Sequence, residues 1–391
     1  MLNNGHLKRL DINKNTFWQG SRPFPVRLDM ELTERCNNDC VHCYINLPAG
    51  DKKAKSRELS TDQIKRIIKE AVSLGCMVVR FTGGEPLLRK DFRQIYLFAR
   101  EQGLRVMLFT NATLITKELA MLFKRVPPLE KMEVSVFGLK KASYESSTRQ
   151  PGSFARAMAG VRLLLENKIP FVVKGALLPA NKSEFKAFKA WSAKILGKDS
   201  PAPVAIFFDL RCRRDKKSAL IRKIRATPQE GLKIIAENKE AFVGDTKSLY
   251  ANFRHLTGNK LFSCAAGHAA GCVDAYGVFQ PCMMLRHPDT VYDLKNGSLK
   301  DVLTNFLPKV GRMKARNPDY LLRCGKCFIR VLCEQCPAKS WMEHGTLDTP
   351  VEYLCEVAHA QGRFLGLVGR NEKAWQVKDW KKRVNRFIKN K

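Results

Sequence analysis

The chain has 391 residues, enough for one large or two modest domains, and 45% of them are hydrophobic, so a largely disordered protein is excluded. No run of about 18 apolar residues is present and the N-terminus lacks a secretory apolar segment, so we expect a cytoplasmic protein without a membrane span. The formal net charge of +32, from 69 Lys and Arg against 37 Asp and Glu, favours an anionic partner.

From residue 26 onward, β-branched apolar runs alternate with stretches of helical periodicity. We predict six strands, over 26–33, 77–83, 105–111, 132–138, 170–179 and 204–210. Between the first two strands, residues 60–75 predict a helix capped by Ser60 or Thr61, and a helix after the second strand is predicted to stop at Gly103. Six β-α units favour an α/β fold with a partial (β/α)6 TIM-like barrel, since eight units would close the barrel.

After about residue 250 the alternation stops, and the sequence becomes rich in Cys and punctuated by Gly and Pro. Such a segment is predicted to be irregular and to fold around metal rather than around a large core. We therefore expect an N-terminal extension (1–25), the barrel (26–250), a Cys-rich domain (251–360) and a basic C-terminal tail (361–391).

Thirteen cysteines in a cytoplasmic chain indicate metal or redox chemistry rather than disulfides. Three of them lie within residues 36–43 and eight between Cys264 and Cys355. Cys76 and Cys212 stand alone, and we interpret both as buried or unremarkable thiols.

The first group is Cys36, Cys40 and Cys43, directly after the first predicted strand. The carboxyl ends of parallel strands are where functional loops gather. A structural zinc site needs a fourth ligand, and His42 lies between two of the thiols, where it would strain to reach the same ion. An iron–sulfur cubane with three thiolates instead leaves one iron open for a substrate or cofactor.

The second motif is "FTGGEPLL" at residues 81–88, where Gly83 and Gly84 end the second predicted strand. Two residues without side chains let the backbone approach a ligand closely. Glu85 follows as an acceptor for a ligand ammonium, and Pro86 stiffens the exit.

Together the three-cysteine loop and the GGEP motif resemble the signature of radical S-adenosylmethionine (SAM) enzymes. The resemblance implies a 4Fe–4S cluster on Cys36, Cys40 and Cys43, with SAM on the open iron and a 5′-deoxyadenosyl radical that abstracts hydrogen. It departs at His42, where an aromatic residue often stands. For Ser135 and Arg149 the ordinary alternatives are a strand cap and a surface residue. The cofactor contacts that the resemblance implies come from Tyr44, Gly83, Gly84, Glu85, Asn111, Ser135 and Arg149.

The later cysteines include two C-x2-C pairs, which from spacing alone also fit a zinc ribbon. The whole array resembles the SPASM extension of radical SAM enzymes, which houses two auxiliary 4Fe–4S clusters. One departure is that two residues separate Cys333 from Cys336, where the family usually has three, which leaves an exchange of ligands between the clusters open. The resemblance implies Cys264, Cys272, Cys282 and Cys336 for auxiliary cluster I, and Cys324, Cys327, Cys333 and Cys355 for auxiliary cluster II.

The resemblance spans about residues 26–360, and SPASM enzymes mostly modify ribosomally made peptides. It implies a maturase that abstracts hydrogen from a peptide or protein, with an acidic leader suited to the +32 charge and a reductant such as flavodoxin or ferredoxin. Met283 follows Cys282 where sulfatase maturases place an acidic base, which counts against that branch. The 35 residues before Cys36 are too few for a leader-binding winged-helix domain.

Two other functions remain open. The first is a radical SAM enzyme acting on a small molecule or cofactor precursor. The second is a non-catalytic, metal-stapled nucleic-acid-binding protein. That reading explains the basic charge and the C-x2-C pairs, but not the three-thiol loop combined with GGEP, so we do not expect nucleic acid as a partner.

Overall fold

The computed structural model describes residues 26–196, 204–207, 215–252, 258–262, 264, 266, 271–333 and 335–389. The strands are β1 (Arg27–Thr33), β2 (Arg35–Cys36), β3 (Leu47–Pro48), β4 (Val78–Gly83), β5 (Arg105–Thr110), β6 (Met132–Ser135), β7 (Phe171–Ala176), β8 (Val204–Phe207), β9 (Gly271–Val273), β10 (Val278–Gln280) and β11 (Tyr292–Asp293).

The helices up to residue 252 are α1 (Lys52–Arg57), α2 (Thr61–Ser73), α3 (Phe92–Glu101), α4 (Lys117–Arg125), α5 (Lys141–Thr148), α6 (Ser153–Glu166), α7 (Phe185–Leu196), α8 (Asp215–Ile224), α9 (Pro228–Ile235) and α10 (Lys239–Asn252). Those that follow are α11 (Leu299–Asp301), α12 (Leu307–Gly311), α13 (Pro318–Leu322), α14 (Pro337–His344), α15 (Glu352–Phe364) and α16 (Trp380–Lys389). A π-turn covers Val302–Phe306, and short 3-10 helices cover Pro86–Leu88, Pro179–Glu184, Pro288–Thr290, Arg330–Leu332 and Ala374–Gln376.

Within the described residues, nine strands form one sheet in the order β11-β10-β9-β1-β4-β5-β6-β7-β8. The strands β1 and β4 to β8 are parallel neighbours in chain order, and helices follow each of them. These are the six strands predicted from the sequence, each found within a few residues of its predicted bounds as far as the structure describes them. Residues 208–210 of the last predicted strand and the predicted N-terminal extension (1–25) lie outside the described residues. The α/β fold with a partial-barrel sheet is therefore confirmed.

The sheet has an outer face that packs against helices and an inner face that carries polar side chains. On β1, Leu28, Met30 and Leu32 belong to the main hydrophobic core, together with the apolar face of α2. The alternate residues Asp29 and Glu31 point to the inner face, because successive side chains of a strand lie on opposite sides. The inner face is thus available for chemistry while the outer face stabilises the fold.

Helix α2 shows how the sequence sets its own boundaries. The Ser60 hydroxyl accepts a hydrogen bond from the Gln63 backbone N–H (3.2 Å), and the Gln63 side chain accepts one from the Ser60 N–H (2.9 Å), so the cap is Ser60 rather than Thr61. The predicted stop after α3 is also confirmed, since Gly103 takes a left-handed φ of 84° two residues past Glu101.

The segment predicted to be irregular adds three strands to the sheet. Strand β9 lies parallel to β1 on the edge opposite β4, and its Cys272 is in register with Asp29. Strands β10 and β11 follow in antiparallel order. Strands of two or three residues carry no readable periodicity, which is why the sequence did not predict them. The sheet therefore runs across the boundary predicted at residue 250.

The predicted basic tail contains a helix with an apolar face. In α16, Val384 and Phe387 join a hydrophobic cluster with Tyr250 and Phe328. Lys and Arg side chains alternate with these apolar residues, so composition alone read as a solvated tail. Among the described residues, no helix is both long enough and apolar enough to cross a bilayer.

Candidate functional site

The loop that carries the first three cysteines leaves the carboxyl end of β1 and is held by helix α5. The backbone N–H groups of Asp39 and Val41 donate to the carbonyls of Thr148 (2.9 Å) and Ser147 (3.0 Å). These carbonyls lie at the C-terminus of α5, where the helix leaves them without partners of its own. The loop is thus fixed at its centre by backbone contacts.

Arg149 follows α5 in a left-handed conformation (φ 51°) and contacts the same loop. Its guanidinium donates to the Asp39 carbonyl (2.8 Å) and pairs with the Asp39 carboxylate (2.6 Å). The Arg149 side chain is 41% exposed. Arg149 therefore lies at the surface and contacts Asp39, a residue of the loop between Cys36 and Cys40. Any influence of Arg149 on a cofactor acts through this loop.

Gly83 and Gly84 dock the end of β4 onto the end of β1. A Cβ on Gly83 would lie 2.1 Å from the Thr33 carbonyl oxygen, and one on Gly84 would lie 2.1 Å from that of Arg35. The Gly84 and Glu85 N–H groups donate to the same two carbonyls (2.7 and 2.9 Å). On that side the space is filled by protein backbone, so these glycines permit a close contact between the strand end and the cysteine loop.

This contact predicts the effect of Gly84→Ala. Because the added methyl meets rigid backbone, we expect a loss of about 1–3 kcal/mol in the free energy of unfolding and a lower iron content after reconstitution. Denaturant unfolding and an iron assay measure the two effects. Gly50→Ala is the matched control, because nothing lies within 4 Å of its Cβ position. Equal stability of the two variants would contradict the docking role.

Glu85 is fully buried and ties the end of β4 to the end of β5. Its carboxylate accepts from the Thr110 hydroxyl (2.8 Å), the Asn111 N–H (2.8 Å) and the Leu87 N–H (3.2 Å). Burial raises the pKa of Glu85 to about 7, against the opposing effect of these donors. The carboxylate expected to receive a ligand ammonium thus already has three protein donors.

Asn111 connects β5 to the cysteine loop. Its amide donates to the Cys36 sulfur (3.7 Å) and to the Asn37 side-chain oxygen (2.9 Å). Asn37 in turn donates to the Thr113 hydroxyl (2.7 Å), which also donates to Asn111 (2.6 Å). This closed network holds Cys36 at the strand ends.

Two other predicted residues lie at the same edge. Ser135 ends β6 half-buried on the inner face, in register with Lys174 of β7. Tyr44 is half-buried and follows Cys43 in the loop.

His42 packs its ring edge-on against Phe137, with 4.5 Å between ring centroids. Burial lowers the pKa of His42 to about 4, so the imidazole is neutral at physiological pH. Its Nδ1 atom is buried without a hydrogen-bond partner in the described part of the chain. His42 therefore behaves here as an aromatic side chain.

The chemistry of the three thiols suits an iron–sulfur cluster. Burial and the nearby Glu85 carboxylate raise the pKa of Cys36 to about 12, and burial together with Cys43 and Cys36 raises that of Cys40. A thiolate that is buried beside other negative groups is stable only when positive charge lies close to it, and ligation to a metal supplies that charge. In a cubane each thiolate binds a different iron. Among the described residues, no three Cys, His, Asp or Glu side chains are placed to hold a single metal ion.

Residues 30–191, which include the cysteine loop and the GGEP turn, match the model of the Radical SAM superfamily. This segment is a radical SAM domain. The chain is thus an enzyme with a domain of the class that uses a 4Fe–4S cluster and SAM, and the resemblance of the three-cysteine loop and the GGEP motif to radical SAM enzymes is confirmed.

Among curated relatives, the AdoMet-dependent heme synthase of Methanosarcina barkeri is 27% identical over 82% of this chain and 93% of its own length. The Fe-coproporphyrin III synthase of the same organism is 35% identical over 41% of this chain and 39% of its own length. The PqqA peptide cyclase of Rhodopseudomonas palustris is 38% identical over 24% of each chain.

Two solved structures share the fold of this radical SAM chain. Streptococcus suis SuiB bound to S-adenosylmethionine has a TM-score of 0.61 at 16% identity, covering 82% of this chain and 75% of SuiB. The enzyme anSMEcpe with bound AdoMet has a TM-score of 0.62 at 14% identity, covering 92% of this chain and 98% of its own. At these identities the likeness concerns the fold alone.

The later cysteines of this radical SAM enzyme form two groups. Cys324, Cys327, Cys333 and Cys355 line one cavity, in the combination that the resemblance implied for auxiliary cluster II. Burial raises the pKa of Cys264 and of Cys282; nearby Cys336 adds a smaller rise to both, and Cys264 adds one to Cys282. Cys272 is fully buried on β9.

The two isolated cysteines were interpreted from the sequence as buried or unremarkable thiols. Cys76 is buried, as expected, and donates to the Val78 carbonyl (3.2 Å). Cys212 lies outside the described residues.

Sequence reasoning missed a group of charged residues on the inner face. Arg80 forms an ion pair with Asp29, and its guanidinium lies 4.6 Å from the centroid of the Phe109 ring. The Nη2 atom of Arg80 also lies 3.6 Å from the Met283 sulfur. Lys174 approaches the same ring from 5.5 Å. The signal in the sequence was a charge at an alternate position of an otherwise apolar strand, as in "MVVRFTG" and "PFVVKGALLP".

A second missed group is the ion-pair cluster around Arg286. This guanidinium contacts the carboxylates of Glu34 (2.7 Å), Glu31 (2.9 Å) and Asp274 (3.7 Å), and all three of these residues are buried. Glu34 also accepts from the Tyr276 hydroxyl (2.9 Å). The cluster thereby connects the segment after Cys282 to the exit of β1.

Proposed function

We propose that this enzyme acts on a carboxylate-bearing small molecule of the iron-tetrapyrrole class, using a 4Fe–4S cluster on Cys36, Cys40 and Cys43. The observation that carries the proposal is the similarity to the AdoMet-dependent heme synthase over 93% of that protein's length. Heme is an iron tetrapyrrole with carboxylate side chains. Among the alternatives left open by the sequence, this one corresponds to the small-molecule or cofactor-precursor enzyme.

The residues of the site have distinct roles in this proposal. When bound, the cluster and SAM supply a 5′-deoxyadenosyl radical that abstracts hydrogen from the substrate. Asn111 holds Cys36, and Glu85 fixes the β5 end that carries Asn111. Gly83 and Gly84 seat the loop on β1, and Arg149 holds it at Asp39. Tyr44 and Ser135 are assigned to direct contacts with the cofactor.

We also propose two auxiliary 4Fe–4S clusters. The cavity shared by four cysteines supports auxiliary cluster II on Cys324, Cys327, Cys333 and Cys355. The mutual proximity of Cys264, Cys282 and Cys336 supports auxiliary cluster I, with Cys272 as its fourth ligand. Four thiolates per cluster leave no open iron, which suits electron transfer rather than substrate binding.

Substrate carboxylates are proposed to bind at Arg80. The Nη2 atom of Arg80 donates hydrogen bonds to Asp29 and Met283, whereas the buried Nε has no hydrogen-bond partner among the described residues. A buried unused donor costs about 1–3 kcal/mol, so an acceptor supplied by the substrate is favoured. The Phe109 ring beneath the guanidinium stabilises Arg80 in this position by a cation–π contact.

Arg80→Gln tests this contact. We expect a rise in KM of about 10- to 100-fold for an iron coproporphyrin, because a charge-assisted hydrogen bond worth about 1.5–3 kcal/mol is lost. Cleavage of SAM without substrate is expected to continue at its normal rate. Arg27→Gln is the matched control, because Arg27 also pairs with Asp29 (3.1 Å) but its side chain is 47% exposed. An equal change of KM in the two variants would argue against a substrate role for Arg80.

Peptide modification is the second candidate, and the one expected from the sequence. It is supported by the 38% identity to the PqqA peptide cyclase over 94 residues and by a net charge of +32, which suits an acidic leader. In either case a reductant such as flavodoxin or ferredoxin supplies the electron.

The deciding experiment is an anaerobic assay of the reconstituted protein with SAM and a strong reductant. Iron coproporphyrin III and synthetic acidic-leader peptides are offered in separate reactions, and 5′-deoxyadenosine and product mass are followed by mass spectrometry. We expect porphyrin-dependent 5′-deoxyadenosine and a porphyrin of altered mass. A peptide of altered mass with an unchanged porphyrin would transfer the assignment to the second candidate. No 5′-deoxyadenosine in any reaction would reject the radical chemistry itself.

A further inference from the structure

The cavity lined by Cys324, Cys327, Cys333 and Cys355 also carries two guanidinium groups, those of Arg323 and Arg330. Arg323 donates from Nη2 to the Cys355 sulfur at 3.7 Å. Arg330 is 5% exposed and donates to the Tyr320 hydroxyl (2.5 Å) and the Lys260 carbonyl (3.3 Å). Thus a cluster in this cavity would have a guanidinium hydrogen bond on one of its ligands and a second buried guanidinium beside it.

Arg323 is held in this position from three directions. Its two terminal nitrogens donate to the two oxygens of Glu352 (2.6 and 2.9 Å), and it also pairs with Asp319 (3.2 Å). The guanidinium lies 4.9 Å from the centroid of the Trp375 ring. A planar guanidinium bound bidentately on one edge and stacked on an aromatic ring has little freedom to rotate. The donor aimed at Cys355 is therefore a fixed feature of the cavity.

The other group of later cysteines has different surroundings. Among the described residues, the charged neighbours that act most strongly on Cys264 and Cys282 are other cysteines, whereas those of Cys324 and Cys355 include Arg330 and Arg323. The reduction potential of an iron–sulfur cluster depends on the charge around it and on hydrogen bonds to its sulfurs. Cationic donors stabilise the reduced form, which carries one more negative charge.

We propose that Arg323 makes auxiliary cluster II the more easily reduced of the two auxiliary clusters, by its hydrogen bond to Cys355. The inference rests on the proposal that both groups of four cysteines bind 4Fe–4S clusters. Arg323 acts through the ligand Cys355 and is a positioning residue. Because electrons move toward the cluster with the higher reduction potential, they would pass from auxiliary cluster I, near the sheet, to auxiliary cluster II, in the cavity between α13 and α15.

The test is a redox titration of the reconstituted full chain followed by electron paramagnetic resonance. In the wild-type protein we expect about 12 irons per chain and one auxiliary signal that appears at a higher potential than the other. In Arg323→Gln that signal is expected to shift to lower potential, while the other auxiliary signal stays in place. Arg363→Gln is the matched control, because it removes an exposed cation near the same cavity without touching a cysteine sulfur. Cys264→Ala identifies which signal belongs to which group.

The outcomes separate the inference from the proposed function. An iron content of about four per chain in the wild-type protein would overturn the auxiliary clusters and this inference with them. With about 12 irons, an Arg323→Gln titration identical to the wild type, or a shift equal to that of Arg363→Gln, would overturn the inference alone. If Arg323→Gln loses about four irons, Arg323→Lys is titrated instead. A smaller downward shift of the same signal supports the inference, and no shift overturns it.

Discussion

Substituting Cys40 by alanine is expected to abolish the formation of 5′-deoxyadenosine and to remove about four irons per chain. Cys40 is one of only three thiols that the loop offers, and the pKa values of Cys36 and Cys40 indicate that these thiols act on one another. A cubane left with two protein ligands has no stable attachment, so loss of one thiol removes the whole cluster rather than weakening it. The assay is anaerobic reconstitution followed by iron quantitation and detection of 5′-deoxyadenosine by mass spectrometry.

Cys76→Ala is the control for this experiment. Cys76 is also a thiol in the folded core, but it lies at the entry of β4 and donates to the Val78 carbonyl, far from the loop end of that strand. We expect its iron content and 5′-deoxyadenosine formation to match those of the wild type. A Cys40→Ala protein with its full iron content would mean that the ligand set is wrong.

Removing the guanidinium of Arg286 is expected to destabilise the folded protein by about 3–5 kcal/mol. Arg286→Met keeps much of the side-chain volume but leaves the carboxylates of Glu31, Glu34 and Asp274 buried without their shared cation. Three buried like charges repel one another, and each has lost contact with water. Denaturant unfolding of the anaerobic protein, followed by circular dichroism, measures the difference.

The destabilisation by Arg286→Met is expected to shrink as the pH falls from about 8 toward about 5.5. Without Arg286 the folded-state pKa values of the three carboxyls rise above their unfolded values. The cost of burying them is therefore fully present above the raised pKa values and disappears as the groups are protonated below them. Arg105→Met is the control, because Arg105 is 51% exposed in its pair with Glu130 and exposed pairs contribute about 0–1 kcal/mol. An equal and pH-independent loss in both variants would contradict the role of the buried cluster.

Much of the barrel was predictable because each of its strands is signalled locally. Runs such as "VRLDMELT" and "RVMLFTN" are long enough to show their β character, and parallel strands joined by helices pair mostly in chain order. The cysteine loop was equally predictable, since its three thiols lie within eight residues of one another. The grouping of Cys324, Cys327, Cys333 and Cys355 was inferred from the family resemblance and not from the spacing of these residues.

What the sequence did not reveal depends on contacts between distant segments. Arg286 meets Glu31 across 255 positions of the chain, and nothing near either residue indicates the other. The contact that Gly84 makes was hidden for the same reason, because the backbone it accommodates belongs to Arg35. Met283 was notable in the sequence only because it stands where sulfatase maturases have an acidic residue. In the structure its sulfur lies beside Arg80.

The pairing of β9 with β1 also has a consequence for synthesis of the protein. During translation β1 emerges first and gains β4 on one side within about 50 residues, but its other edge waits for residues 271–273. Throughout that interval the nascent chain displays an open strand edge next to three closely spaced free thiols, a combination that invites aggregation and oxidation. The ribosome-bound chain is therefore at its most vulnerable before β9 arrives, and protection by chaperones matters most at that stage.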